Sequence, residues 1–147
     1  MKNLYLPYTK VYDKDSSTWC LTGRDSRRRD FGVAAADSVE KAEERLRNWV
    51  LDSLLSAADD GEDRLRDLHV RCPAEVKCVT LGPRDLLPIR IRLLRVRHGL
   101  SQAAMAERLG VTQQAYAKLE RPGSNPGLDT LVRVERALDD SVLEYAS

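Results

Sequence analysis

The sequence predicts an α+β protein in which a small sheet-plus-helix domain precedes an all-α domain. Three observations lead to this prediction. Apolar and polar residues alternate in the first part of the chain, apolar residues recur at three-and-four spacing over residues 39–54, and helical patterns return after Gly82-Pro83. Since a Gly-Pro pair is typical of a turn between elements, we expect domains at residues 1–82 and 83–147.

The composition favours a folded chain that stays out of membranes. Hydrophobic residues make up 42% and charged residues 32% of the 147 residues, a balance typical of a packed core with a charged surface. The 24 basic and 23 acidic residues leave a net charge of +1, which excludes a general polycation. No apolar run approaches the ~20 residues that cross a bilayer, and the apolar start of the chain is too short for a signal peptide. We expect a cytoplasmic protein.

The three cysteines, Cys20, Cys72 and Cys78, are expected to be ordinary reduced thiols. Their number is odd and no two form a CxxC pair, which argues against a disulfide framework. Only His69 lies near Cys72 and Cys78 in the sequence, so the four ligands of a structural zinc site are not at hand. We expect no metal and no cofactor.

A β-hairpin and a third strand are predicted at the N-terminus. Residues 4–12 and 17–22 carry aromatic and aliphatic residues in alternation, and the Asp13-Lys14-Asp15-Ser16 segment between them has turn chemistry. Residues 31–35 alternate as a third strand. The preceding run Arg27-Arg28-Arg29 is more typical of a solvated loop than of a binding site.

A helix is predicted next. Asp37 and Glu40 have the spacing of a capping box, which satisfies the free N–H groups at a helix start. The acidic stretch at residues 59–63 ends the helix, and residues 68–72 and 76–81 are expected to form short strands. The helix carries one apolar stripe that is expected to cover a face of the sheet. That stripe consists of Val39, Ala42, Leu46, Trp49, Val50 and Leu54.

Periodicity alone does not distinguish helix from strand in the first element of the C-terminal domain. Residues 89–92 alternate like a strand, yet Ile91 and Leu94 fit a helix that Asp85 would cap, with Pro88 in its first turn. We predict the helix because of the residues that follow it.

Residues 101–119 have the pattern of a helix-turn-helix. Ser101 would cap a short helix that buries Met105 and Leu109, with the small Ala106 where a second helix crosses. Gly110 can reverse the chain with a positive φ. Thr112 would cap the second helix, whose packing face is Ala115, Tyr116 and Leu119.

This segment resembles the Cro/repressor-type helix-turn-helix family over about residues 89–140. The resemblance implies a DNA-binding domain whose second motif helix enters the major groove. Pro122 and Tyr116 depart from the family, which usually has Gly and a β-branched aliphatic residue at these places. The residues that carry the resemblance are Ile91, Leu94, Arg95, Gly99-Leu100-Ser101-Gln102, Thr112-Gln113-Gln114, Leu119-Glu120, Asn125-Pro126, Leu128, Leu131 and Ala137-Leu138.

Several side chains of this segment are candidates for DNA contact. Gln113 and Gln114 begin the second motif helix, and a Gln amide can pair with N6 and N7 of adenine. Residues 84–121 carry eight basic and three acidic residues, a local net charge of +5 that suits phosphate binding. Gln102 is placed to touch the phosphate backbone. The DNA-binding candidates are Gln102, Thr112, Gln113, Gln114, Lys118 and Asn125.

Two charged residues are left off that list. In the family resembled, an Arg and a Glu at the positions of Arg95 and Glu120 form an internal ion pair. The resemblance therefore implies a structural role for both, and removing either one would leave its partner buried and unpaired.

A homodimer, or a higher oligomer, is expected because one helix-turn-helix reads only a few base pairs. Its target would be an inverted repeat in double-stranded operator DNA. The segment Leu138–Tyr145, with Val142 and Leu143, is the predicted apolar contact within the dimer. The alternative is a helix-turn-helix that serves only packing or dimerisation, against which the glutamines and the local positive charge argue.

The N-terminal domain resembles HicB-type antitoxins from Tyr5-Leu6-Pro7 to about Leu55. The closest stretch is Asp37-Ser38-Val39-Glu40-Lys41-Ala42, whereas the family's Pro-Asp-Leu-Pro-Gly-Cys segment is replaced by residues 25–30. The resemblance implies that this domain binds and blocks a small HicA-like ribonuclease toxin. The C-terminal domains would then repress their own operon, and toxin and operator would alter each other's affinity.

Two other functions remain open at this point. A stand-alone or phage-like repressor would use its N-terminal domain to sense a ligand or to dimerise. An enzyme is a distant third, because the sequence shows no nucleophile–base pair, no Gly-rich phosphate loop and no clustered carboxylates. We predict a regulator without enzymatic activity.

Overall fold

The computed structural model describes residues 2–143, which divide into two compact units. The N-terminal unit comprises residues 3–53 and 64–81, and the helical unit comprises residues 2, 54–63 and 82–143. The first is a sheet with a helix and the second is all helical, which confirms the predicted α+β class. Among the described residues, no helix has the length and apolar character needed to cross a membrane.

Four antiparallel strands form the sheet of the N-terminal unit, in the order β3-β2-β1-β4. They are β1 (Leu4–Asp13), β2 (Thr18–Arg24), β3 (Asp30–Ala36) and β4 (Cys78–Leu81). The predicted hairpin and third strand are confirmed. The hairpin turn is held by Asp13, whose carboxylate accepts hydrogen bonds from the backbone N–H of Asp15 and the hydroxyl of Ser16.

One face of the sheet is covered by helix α1 (Val39–Asp59), of which residues 39–53 belong to this unit. Leu6, Tyr8 and Leu21 lie on this face and are buried. Gly32 lies here with φ +103°, and a Cβ atom at this position would come within 2.5 Å of the Trp49 ring. The glycine therefore permits a close approach of strand and helix that a larger residue would prevent.

The start of α1 differs from the prediction by one residue. The helix begins at Val39, and the hydroxyl of Ser38 accepts the hydrogen bond from the backbone N–H of Lys41. Asp37 instead pairs with the Lys41 ammonium group at 2.9 Å, so the expected capping box of Asp37 and Glu40 is wrong. Within the predicted stripe, Ala42, Leu46, Val50 and Leu54 are buried, whereas Trp49 is 44% exposed and contacts Phe31 edge to face.

The segment between α1 and β4 contains less strand than predicted. Residues 64–67 form a single turn of 3₁₀ helix, and only an isolated bridge between Tyr5 and His69 stands where a strand was expected at 68–72. A second departure is the disulfide between Cys72 and Cys78, which leaves Cys20 as the free cysteine. The expectation of three reduced thiols is therefore wrong. The turn at residues 73–77, with Glu75 at φ +64°, brings the two Cα atoms to 6.1 Å.

The helical unit contains α2 (Pro83–Arg97), α3 (Gln102–Leu109), α4 (Gln113–Leu119) and α5 (Leu128–Leu138). Their apolar faces form one core. The predicted helix is confirmed, but it begins at Pro83 with Gly82 at its N-cap, so the predicted capping position of Asp85 is wrong. Pro83 occupies its first position, where a missing N–H has no consequence, and the Asp85 carboxylate accepts from the Gly82 N–H at 2.9 Å. The core consists of Leu87, Ile91, Leu94, Met105, Ala106, Leu109, Tyr116, Leu131, Val134, Leu138 and Val142.

Pro88 lies inside α2 and not in its first turn. A proline has no N–H to donate to the carbonyl four residues earlier, which here belongs to Arg84. That carbonyl accepts a hydrogen bond from the backbone N–H of Gly123, in the loop after α4. The proline thus frees an acceptor that connects α2 to this loop.

The chain turns back onto its own core after α5. Asp139 ends the helix in the left-handed conformation, and one carboxylate oxygen of Glu135 accepts from the backbone N–H groups of Val142 and Leu143. Val142 is fully buried in the core and Leu143 packs against it. Leu138 and Val142 are therefore buried in the core of their own unit, which contradicts their part in the predicted dimer contact. Leu143 is only partly buried, so its part stays a prediction, and residues 144–145 lie outside the described residues.

Candidate nucleic-acid interface

The helix-turn-helix is built by two side-chain caps and one glycine. Ser101 Oγ accepts from the Ala104 N–H at 3.0 Å at the start of α3, and Thr112 Oγ1 accepts from the Ala115 N–H at 3.1 Å at the start of α4. Gly110 ends α3 with φ +63°, a conformation that glycine adopts without strain. These three predictions are confirmed, and together they fix the direction in which α4 leaves the turn.

One side of α4 is exposed and polar. Lys118 lies one turn beyond Gln114, so both occupy the same side of the helix. Asn125 lies further along, exposed in the loop before α5. A single shallow depression is lined by Thr112, Gln113, Gln114, Ala117, Lys118 and Arg121. Four of the six predicted DNA contacts therefore share one surface, which we call the α4 face.

The opposite side of α4 packs into the core. Tyr116 is fully buried and Leu119 packs against the core, as predicted. Ala115 is exposed, so its place in the predicted packing face is wrong. The four-residue separation of Tyr116 and Glu120 puts both on the buried side, where a charged group needs partners.

Arg95 and Glu120 form a buried, two-pronged ion pair. Arg95 Nε donates to Glu120 Oε1 at 2.5 Å and its Nη2 donates to Oε2 at 3.0 Å. The remaining Nη1 donates to the Leu100 carbonyl at 2.7 Å. Because α2 supplies the arginine and the end of α4 supplies the glutamate, the pair holds α4 against the rest of the unit.

Tyr116 and Gln102 add two further hydrogen bonds to Glu120. The Tyr116 hydroxyl donates to Oε1 at 2.7 Å, and the Gln102 amide donates to Oε2 at 3.0 Å. Tyr116 thus serves as a hydrogen-bond donor to Glu120. This accounts for a tyrosine at a position where the family usually has a β-branched aliphatic residue. Gln102 is half-buried, and its observed bond is to Glu120; contact with phosphate stays a prediction.

The cluster shifts the protonation equilibria of its members. Burial alone would raise the pKa of Glu120, but hydrogen bonds from Arg95, Tyr116 and Gln102 outweigh it and hold that pKa below its usual value. Burial and the adjacent Glu120 carboxylate raise the pKa of Tyr116. The hydrogen bond with Glu120 likewise raises the pKa of Arg95. The carboxylate is therefore held ionised and the phenol held neutral.

The positive charge predicted for residues 84–121 is largely used within the unit. Arg90 Nη1 lies 3.7 Å from Asp63 Oδ2. Arg92 Nε lies 3.3 Å from Asp59 Oδ1 and 3.5 Å from Glu120 Oε2. Since the acidic stretch at 59–63 belongs to the helical unit, it offsets part of the +5 counted from the sequence. Part of the positive charge that was counted for phosphate binding is therefore paired within the unit. Exposed cations on the α4 face are Lys118 and Arg121.

The described residues bring together no set of three His, Cys, Asp or Glu side chains that could hold a metal ion. His98 lies at the end of α2, where its Nε2 is 3.4 Å from an oxygen of Asp140. This arrangement is that of a turn residue paired with a neighbouring carboxylate.

Comparison with known families agrees with this geometry. Residues 91–142 match a family described as Helix-turn-helix, and this range covers α3, α4, α5 and the C-terminal half of α2. No curated protein matches the chain. The match supports a helix-turn-helix of the Cro/repressor type in this part of the chain, and it indicates DNA binding in transcription regulation.

Proposed function

We propose that this protein is a repressor that reads an inverted repeat in double-stranded operator DNA through the α4 face. The observation that supports it is that Thr112, Gln113, Gln114, Lys118 and Arg121 line one exposed surface. Gln113 and Gln114 carry the donor and acceptor that match the major-groove edge of adenine. Lys118 and Arg121 supply the charge for flanking phosphates.

Asn125 and Gln102 have secondary parts in this proposal. Asn125 is exposed in the loop that follows α4 and would contact the backbone of the bound DNA. Gln102 donates one amide hydrogen to Glu120, and its second amide hydrogen would be donated to a phosphate oxygen. Both contacts would position the domain without reading sequence.

The specificity of the two glutamines provides the experiment. An operator sequence is first obtained by footprinting the DNA upstream of the gene, and binding of Gln113→Ala and Gln114→Ala is then measured by fluorescence anisotropy. Each substitution should cost about 1–3 kcal/mol on the cognate site. Binding to scrambled DNA should be unchanged because the phosphate contacts remain. If both variants keep the wild-type sequence preference, α4 is not the reading helix.

We infer further that the N-terminal unit makes the repressor an antitoxin. A hairpin, a third strand and a Ser38-capped helix follow one another in the order expected from the HicB resemblance. The partner would be a small HicA-like ribonuclease toxin, and the antitoxin would act in the cytoplasm. Because Cys72 and Cys78 are paired, the cytoplasmic location rests on DNA binding alone.

Co-purification tests the antitoxin assignment. The chain, tagged and expressed with the genes on either side, should retain a protein of under 100 residues whose ribonuclease activity it suppresses, about the size expected for a small toxin. A stand-alone repressor would retain none and would still protect the operator. That result would leave the DNA-binding proposal intact and remove the antitoxin proposal.

A further inference from the structure

Residues 70–77 form an exposed segment whose two ends are both attached to strand β1. Before the segment, Tyr5 and His69 exchange backbone hydrogen bonds of 2.8 and 2.9 Å. After it, β4 pairs with residues 4–7 of β1. Every residue from 70 to 77 is exposed, so burial of side chains contributes little to holding the segment in one conformation. Its order must therefore come from other constraints.

The Cys72–Cys78 disulfide is a covalent constraint on this segment. It joins two cysteines six positions apart, one within the segment and one at the first residue of β4. Between them, Glu75 has φ +64°, a conformation that is unfavourable for a residue with a Cβ atom. The hydrogen bond of the turn from the Val76 N–H to the Pro73 carbonyl oxygen is long, at 3.4 Å. Opening the disulfide would thus release a turn that its own backbone holds weakly.

The disulfide is also accessible to a thiol from solvent. Cys72 is exposed, whereas Cys78 is partly buried in the edge strand of the sheet. A thiolate can therefore attack the Cys72 sulfur with Cys78 as the leaving group, and exposed disulfides are typically the labile ones. Cys72 Sγ lies 3.3 Å from the carbonyl oxygen of Val76, which can accept the hydrogen of the thiol that reduction creates.

We propose that Cys72 and Cys78 form a thiol–disulfide exchange site whose redox state controls the order of residues 70–77. The reductant is a low-molecular-weight thiol of the glutathione class. Its thiolate attacks Cys72 Sγ, which breaks the bond to Cys78 and releases Cys78 as a thiolate that takes up a proton. A second thiolate attacks the mixed disulfide and releases Cys72 in the same way. Two reductant thiols thus become one disulfide, and the protein gains two electrons and two protons.

The response should be confined to the N-terminal unit. Cys20, Cys72 and Cys78 all lie in that unit, and they are the three cysteines of the chain. In the cytoplasm, cellular thiols keep most cysteines reduced, and the disulfides found there are mostly transient or redox-sensing. This step rests on the proposed function, which takes the protein as a cytoplasmic repressor. The redox state would then change the segment before β4 and leave the α4 face as it is.

A redox titration of the full chain tests the exchange. The protein is equilibrated with mixtures of reduced and oxidised glutathione and quenched with acid, and its thiols are counted by the mass that a maleimide adds. The folded wild type should change from one labelled thiol to three as the mixture becomes more reducing. Cys20→Ser is the matched control and should change from none to two at the same mixture. A disulfide that opens only when urea unfolds the chain would overturn the proposal, and so would three thiols in every mixture.

Limited proteolysis with trypsin tests the order of the segment. Arg71 and Lys77 are cleavage sites within it. Cleavage at these sites should be at least about tenfold faster in the reduced protein than in the oxidised one, because local opening exposes the backbone to the protease. The double variant Cys72→Ser with Cys78→Ser should be cut at the reduced rate under both conditions, and Cys20→Ser should follow the wild type. Equal cleavage of the two wild-type states would overturn the proposed control of order.

DNA binding separates this proposal from the proposed function. The oxidised and reduced wild type should bind the operator with equal affinity, because the α4 face belongs to the unit without cysteines. An operator affinity that depends on the redox state would overturn the confinement of the response to the N-terminal unit. Failure of both states to bind any DNA would count instead against reading by α4, since the titration and the proteolysis are measured without DNA.

Discussion

Both units bury a carboxylate, but they satisfy it in different ways. In the N-terminal unit, Asp25 is bonded by residues within four positions, namely the backbone N–H groups of Arg27 and Arg29 and the Arg29 guanidinium group. In the helical unit, Glu120 is bonded by Arg95, Gln102 and Tyr116, which come from three different helices. The first carboxylate shapes a loop, whereas the second joins the helices that present the α4 face.

The basic run at residues 27–29 has a structural role in the loop that holds Asp25. Arg29 Nη2 lies 2.7 Å from Asp25 Oδ2 and 3.4 Å from Asp67 Oδ1, so Arg29 is a structural residue of the loop. Arg28 adopts φ +62° in the turn. Burial opposes ionisation of Asp25, but the bonds from Arg29 and Arg27 hold its pKa below the usual value.

The largest expected loss of stability comes from substituting the buried carboxylates, each in a separate variant, and comparing the two losses. Glu120→Gln should lower the free energy of unfolding of the helical unit by about 3–5 kcal/mol, because the Arg95 charge stays buried without its partner. Asp25→Asn should cost about 1–3 kcal/mol, since Arg29 is half-exposed and stays hydrated. Urea unfolding would be followed by far-UV circular dichroism for the helices. The fluorescence of Trp19 and Trp49 reports the N-terminal unit.

A double variant provides the control for this prediction. Arg95→Met with Glu120→Leu removes both charges, and its loss should be smaller than the sum of the two single losses. Equal losses for Glu120→Gln and Asp25→Asn would contradict the contrast between a tertiary cluster and a local loop.

The same contrast explains which features the sequence could predict. Ser101, Gly110 and Thr112 act on backbone groups within a few residues, and their roles were predicted from local chemistry alone. The partners of Arg90 and Arg92 lie in the acidic stretch at 59–63, about 30 residues away, and no local pattern indicates that pairing. A count of charges along the chain therefore overstated the basic patch.

The errors in the N-terminal unit have a related cause. An odd number of cysteines argued for free thiols, but the turn at 73–77 pairs Cys72 with Cys78. Adjacent Asp37 and Ser38 are both good caps, and only the geometry of the chain decides between them. The return of Val142 to the core depends on Glu135, which a hydrophobic pattern does not register.

Protonation of Glu120 at low pH should destabilise the helical unit less than substitution of Glu120 does. The folded pKa of Glu120 is lowered, so its contribution to stability is present above its usual pKa near 4.5 and is lost as the pH falls through the folded value. In the wild type, we expect the urea concentration at the unfolding midpoint of the helical unit to decrease as the pH is lowered below about 4.5. In Glu120→Gln this acid dependence should be weaker. An identical profile in both proteins would show that Glu120 is not held ionised.

Two tyrosines give a smaller and closely matched comparison. The Tyr116 hydroxyl donates to Glu120 in a buried setting, and the Tyr8 hydroxyl donates to Glu43 in a partly exposed one. Tyr116→Phe should cost about 1.5–3 kcal/mol and Tyr8→Phe about 0.5–1.5 kcal/mol, since a bond to a buried charge is harder to replace with water. Calorimetric unfolding of the two variants measures both. A larger loss for Tyr8→Phe would reverse the proposed order.

The smallest effect concerns one exposed cation and distinguishes the α4 face from the rest of the helical unit. Lys118 lies on that face, whereas Arg136 is exposed on α5 and outside it. If Lys118 contacts one phosphate, Lys118→Ala should reduce the slope of log affinity against log salt by about 0.9, because one fewer counterion is released on binding. The loss should be equal on operator and scrambled DNA, since phosphate carries no sequence information. Arg136→Ala removes the same charge and should leave the slope unchanged. If the two substitutions change the slope equally, the effect is one of net charge, and Lys118 does not contact the DNA.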